Sequence, residues 1–231
     1  MLAFHNDPAI KAKYLHRVEV HAAADEIIHG TYWERGKGCA VGCTVHSSSH
    51  KAYEDELGIP RMLARLEDTL FEGQSNGKSK EFPARFLSVI QPGADLSRVG
   101  WQFLHWLLTE ELASRDDPRV AKEIKACADV LIPLTKGEPC DRNAADLARR
   151  AARAKASEYW TAVAYAAYAA DAADAYAAYA AYAADGAAAV AYAADAARRS
   201  TRLAAYERMA EKLLELLASA PLVPYFGRVA A

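Results

Sequence analysis

The chain has 231 residues, 52% of them hydrophobic and 25% charged, with a net charge of −2. That supplies apolar material for one large core or two small ones, and the near-neutral balance argues against nucleic acid or acidic membrane as a partner, since both select basic surface. No apolar run approaches the roughly 20 residues that cross a bilayer. Four cysteines are too few for a disulfide scaffold, and Met1-Leu2-Ala3-Phe4 does not open a secretory signal, so a cytoplasmic protein with reduced thiols is expected.

Taken in chain order, nearly every segment reads as helix. Asp7-Pro8 predicts an N-cap with proline in the first turn, and Gly30 a helix end. The helix between them carries Ile10, Tyr14, Val18 and Ile28. Residues 31–48 interrupt the pattern with glycines at 36, 38 and 42 and serines from 47 to 49, which predicts a loop. Short helices follow over about 49–57, 60–72 and 80–90, closed by Gly58, Gly73 and Pro92-Gly93, with a polar turn at 75–79. Leu96, Val99, Phe103, Trp106 and Leu107 keep helical spacing on a helix from Ala94 to Leu112. Another helix begins at Pro118 and ends near Gly137. No window alternates with the period of a half-buried strand, so no sheet of consequence is expected.

From Asp141 to Ser219 the chain reads as helix throughout. A single helix of that length would extend about 120 Å, whereas a compact chain of this size has a radius of gyration of about 17 Å. It must therefore fold back, with breaks expected at Gly186 and around Lys155–Ser157. Within it, YAAYAADAADA (165–175) and YAAYAAYAADG (176–186) are two copies of an 11-residue unit, whose side chains form an almost straight stripe on a helix. Tyrosines filling the gaps between close-packed alanine helices are the plain reading of this tract. A tyrosine-lined partner surface is the functional one. The period resembles that of ice-binding helices, but the regular threonine row these require is missing. The fold expected is an all-α helical bundle, with an N-terminal region 1–137 and an alanine- and tyrosine-rich region 138–231 of antiparallel helices.

Chemistry is expected in the first third, which holds six of the seven histidines. Cys39, Cys43, His46 and His50 lie within twelve residues, beside glycines that let the backbone turn. Thiolates and imidazoles are the ligands zinc prefers, so these four are the candidate metal ligands and zinc the candidate cofactor. A thiol nucleophile at Cys39 or Cys43 is the related alternative. His21, Asp25 and His29 fall four apart, so one helix face would bring them up as supporting residues. Glu26-x-x-His29 matches half of a di-iron motif and has no second copy. Asp68 and Glu72, with Glu67 adjacent, read as a solvated helix face.

The strings GKGCAVGCTVH (36–46), ELGIPRMLARLEDTLFEG (56–73) and PGADLSRVGWQFLHWLL (92–108) resemble an uncharacterised bacterial protein family in which an alanine-rich tail often follows. The alanine-rich region is similar in texture to putative immunity proteins of bacterial toxin systems. The first resemblance implies no activity. The second implies a non-enzymatic interaction protein with a protein partner or a second copy of itself. A metal- or thiol-dependent site on the Cys39–His50 loop and such an interaction protein are thus the two functional expectations. Whether the chain is an enzyme is left open.

Overall fold

The structure, a computed structural model, describes residues 1–112, 118–156 and 199–223. The hendecad tract, Gly186 and Ser157 lie outside the described residues, while Lys155 and Ala156 are the last described residues of a helix. A short 3-10 turn at Ala3–Asn6 leads into α1 (Pro8–Ala23). Then come a hairpin, β1 (Trp33–Glu34) and β2 (Lys37–Gly38), and the helices α2 (Ala40–Val45), α3 (Lys51–Leu57), α4 (Arg61–Gly73), α5 (Asn76–Val89) and α6 (Val99–Trp106). The last continues as a π-helical turn, Leu107–Glu111. The remaining described helices are α7 (Ala121–Asp129), α8 (Ile132–Lys136), α9 (Arg142–Ala156) and α10 (Arg199–Ala218). The all-α expectation holds, with one two-stranded sheet among the described residues.

Local chemistry explains the boundaries. Asp7 caps α1 by accepting from the Ala9 amide at 2.8 Å, with Pro8 at the first helical position where no amide is needed. Gly58 and Gly137 close α3 and α8 in the left-handed region. Helix α1 stops at Ala23, seven residues before the predicted end at Gly30, because Asp25 turns into the left-handed region at φ 58°. Ile28 therefore leaves the helix, and its amide pairs with the Gly38 carbonyl at 2.8 Å. The expected loop at 31–48 is built instead from the hairpin, turned by Arg35 and Gly36 with both φ positive, and from α2, which is buried over its whole length. The predicted polar turn at 75–79 is in fact the first turn of α5.

One continuous core runs from Ala3 to Leu217. Helix α10 contributes Ala205, Tyr206, Met209, Ala210, Leu213, Leu214 and Leu217, a stripe at helical spacing, and packs on α4, α5 and α6. Gly73 makes room for the Tyr206 ring, which a side chain there would strike. Arg85 pairs with Glu211 at 2.8 Å and Lys78 with Glu207 at 2.7 Å across the same contact. These apolar layers hold α1, the hairpin, α2 and α4 together around the loop that carries the histidines.

Candidate functional site

Helix α2 is a six-residue platform whose every residue is buried. Its last turn is fixed from several sides. The Arg17 guanidinium donates to the Thr44 carbonyl at 2.8 Å, the Thr44 hydroxyl donates to the Ala40 carbonyl at 2.8 Å, and the Cys43 thiol faces the carbonyls of Gly38 (3.3 Å) and Glu26 (3.7 Å). Gly38 and Gly42 let the Tyr32 carbonyl pass directly against this platform; a Cβ at either position would run into that oxygen. The helix ends at His46, in the left-handed region at φ 52°, a conformation uncommon outside glycine. The turn aims the His46 imidazole back toward α1.

There it meets His21. The two Nε2 atoms are 2.8 Å apart, and His21 Nδ1 lies 2.6 Å from Glu26 Oε2. Trp33 of β1 stacks on His46, with ring centroids 4.3 Å apart and planes at 13°, and presents its ring edgewise to His21. Hydrogen-bond logic fixes the tautomers. A carboxylate only accepts, so His21 Nδ1 carries a proton, and in a neutral His21 this makes Nε2 an acceptor. His46 must then donate from Nε2, which leaves its Nδ1 as an acceptor. His46 is exposed whereas His21 is buried, so the free nitrogen belongs to the accessible ring. Burial, the Arg17 cation and His21 all lower the His46 pKa, against a smaller opposing pull from Glu56, so His46 is neutral near pH 7.

A second group of side chains lies at the other end of the loop. His50 Nε2 approaches Asp68 Oδ2 at 3.4 Å, and the Tyr32 ring packs edgewise on His50. Asp68 also faces the Cys39 thiol and the Tyr32 hydroxyl, and burial together with this charge raises the pKa of both. Burial pushes the Cys43 thiol up to about 12. Both loop thiols therefore stay protonated at neutral pH, and a protonated thiol is a poor nucleophile and ligand.

The expected four-ligand set is thus divided. His46 joins His21, His50 joins Asp68, and the sulfurs of Cys39 and Cys43 are turned toward Asp68 and backbone carbonyls. Among the described residues no group of three or more His, Cys, Asp and Glu side chains is arranged to hold a metal ion. The supporting trio separates as well. Only His21 enters the site, because α1 ends before Asp25 and His29. Asp25 is exposed and pairs with Lys80. His29 packs edgewise on Phe71 with its Nε2 buried and unpartnered, while the Gly30 amide beside it donates to Glu72.

Three residues stand in places that the sequence reading does not give them. Glu26 takes the place beside His21 expected of Asp25, and Trp33 supplies the stacking surface; the sequence places Glu26 on a helix running to Gly30 and Trp33 in a loop, whereas α1 ends at Ala23. Glu67 is the third. It is fully buried and meets the Tyr53 hydroxyl at 2.6 Å. A signal was available here, for Glu67 falls four residues after Leu63 and three before Leu70, on the apolar stripe of α4.

Comparisons with protein-family models, with curated proteins and with solved structures find no match to this chain. The site's meaning rests on its own geometry.

Proposed function

We propose that the 31–50 loop carries an imidazole acid–base site, in which His46 meets the substrate, His21 relays the proton and Glu26 orients the relay. One observation carries this reading: the unbroken sequence Glu26–His21–His46, with contacts of 2.6 and 2.8 Å, which ends on the accessible ring. His46 Nδ1 takes a proton from a substrate group while its Nε2 proton passes to His21 Nε2. The positive charge then rests against the Glu26 carboxylate instead of beside Arg17. A base that is neutral at working pH and within reach of the reacting proton meets the two demands of general base catalysis, which typically supplies 10²–10⁴-fold. This reading departs from the metal- or thiol-dependent expectation and keeps only its loop and His46.

The test is hydrolysis of an activated ester, p-nitrophenyl acetate, by the wild type and by His46→Asn and His21→Asn. Wild-type turnover above both variants, with a pH profile governed by a neutral imidazole, is expected. Equal rates in all three would sink the proposal. Stoichiometric zinc in untagged purified protein, lost with His46→Asn, would return the site to the metal reading. Alkylation under native conditions separates the thiols: half-buried Cys140 should label first, and buried Cys39 and Cys43 only on unfolding. The interaction reading depends on the tyrosine stripe, which lies outside the described residues.

A further inference from the structure

Lys13, Arg17 and His21 fall four residues apart on α1 and so share one face. The row ends at the His21–His46 contact of 2.8 Å. Arg17 stands one turn before it. Its Nη1 donates to the Thr44 carbonyl at 2.8 Å, two residues before His46, and its guanidinium carbon lies 4.8 Å from the centroid of the buried Tyr14 ring. Backbone and ring thus hold the guanidinium beside the turn that carries the accessible His46 imidazole. The His46 pKa, lowered in part by the Arg17 charge, agrees with that placement.

These two contacts use little of the group. A guanidinium is a planar fork of donors. Beyond the Thr44 carbonyl, Arg17 has no hydrogen-bond acceptor and no carboxylate partner among the described residues. The other charges packed nearby are already engaged. Glu56 of α3 accepts from the Tyr14 hydroxyl. Lys13 Nζ lies 3.5 Å from that same oxygen and 4.8 Å over the ring, so these two opposite charges meet at Tyr14. Glu26 lies at the far nitrogen of His21, Nδ1. What remains beside the His46 turn is one positive charge, half-buried and fixed in position. Fixing a flexible cation in advance removes much of the ordering cost of binding an anion, whereas a solvated surface arginine has neither restraint.

We propose that Arg17 is an anion-anchoring residue beside His46, and that the substrate of the loop site carries a carboxylate held in the Arg17 fork. The anchor is a property of this surface by itself; its meaning as a substrate subsite rests on the imidazole reading above. One uncompensated charge with Glu56 close by suits a monoanion, and the planar fork matches the two oxygens of a carboxylate. A phosphate dianion would bring a second charge that nothing in this group neutralises.

The experiment is ¹⁵N NMR of the full chain titrated at pH 7 with benzoate and, separately, with benzamide, the neutral molecule of the same shape. Benzoate should move the Arg17 Nε and His46 ring signals along a saturable curve that weakens as salt rises, and benzamide should move neither. Arg17→Lys, which keeps the charge without the fork, should bind benzoate more weakly than the wild type. Arg17→Gln should bind it about tenfold more weakly, the size of one charge-assisted hydrogen bond. The two wild-type titrations need no variant, so a fold loosened by removing the Thr44 contact does not obscure the answer. Absence of a benzoate-specific shift, or benzoate binding unchanged in Arg17→Gln, overturns the anchor. Tighter binding of inorganic phosphate than of benzoate overturns the carboxylate assignment. Benzoate binding through Arg17, together with equal ester hydrolysis by the wild type, His46→Asn and His21→Asn, leaves the anchor standing and removes the imidazole reading. Hydrolysis that depends on His46 without benzoate-specific shifts does the reverse.

Discussion

Glu26 and Glu67 make contacts of the same length, 2.6 Å, to a ring side chain, and the contacts mean different things. Glu26 is about one-third exposed and faces an imidazole, so water and a basic partner both support its charge. Glu67 is fully buried and faces a phenol, which offers one hydrogen bond and no compensating charge. One wall of the loop thus holds a carboxylate against an imidazole, while the core on α4 holds one whose charged form burial disfavours. The comparison teaches that distance alone does not assign a role. Exposure and the partner's basicity do.

The largest expected effect breaks the comparison on the core side. The folded pKa of Glu67 lies above its unfolded value near 4.3, so the native state binds more protons than the unfolded one. Its contribution is fully present below the unfolded pKa and is lost as pH rises through the folded pKa. Across that window stability should fall by up to about 1.4 kcal/mol per pH unit. Glu67→Gln has no proton to lose, so its unfolding free energy should decline less between pH 5 and pH 8 in denaturant titrations. Parallel curves for the two proteins would mean that Glu67 is ionised in the fold.

A smaller effect is expected on the site side. Glu26→Gln replaces a charge-assisted hydrogen bond by a neutral one at a partly exposed position, at a cost on the order of 1 kcal/mol. Its clearer readout is the tautomer. Wild-type His21 should carry its proton on Nδ1 at neutral pH, and the variant should show a mixture by ¹⁵N NMR, with His46 losing its preference for Nε2–H. An unchanged His21 tautomer in Glu26→Gln would remove Glu26 from the relay.

Much of this fold was legible because its signals are local. The Asp7-Pro8 start and Gly58 act within one turn, and the stripe of α4 needs only helical periodicity. The relay was not legible because it depends on where a helix stops. Helical spacing pairs His21 with Asp25, but the left-handed turn at Asp25 brings Glu26 onto the imidazole, a five-residue pairing that no regular helix makes. The placing of the cysteines was illegible for a related reason. Their spacing from His46 and His50 suits metal ligation along a flexible loop, and α2 converts that loop into a rigid buried platform whose sulfurs face inward. Glu67, which the sequence places on a solvated face, is buried because it falls on the apolar stripe of α4, and Tyr53 reaches it only through the tertiary packing of α3.

The smallest expected effect sharpens the contrast between the two histidine pairs. His50 and Asp68 are 3.4 Å apart, longer than the 2.6 Å of His21 and Glu26, and at that length a hydrogen bond contributes little. His50→Asn, which keeps a side-chain donor toward Asp68, should therefore cost about 1 kcal/mol or less, leave the His21 and His46 tautomers as they are, and leave ester hydrolysis at the wild-type rate. The physical route by which this could go wrong is short. Asp68 also faces Cys39, the residue that begins α2, so a coupling between His50 and His46 would have to run through that thiol and the platform. A change in His46 signals on His50→Asn, abolished when Cys39→Ala is added, would show that the two pairs are one network and that the division of the loop drawn from distance is too sharp.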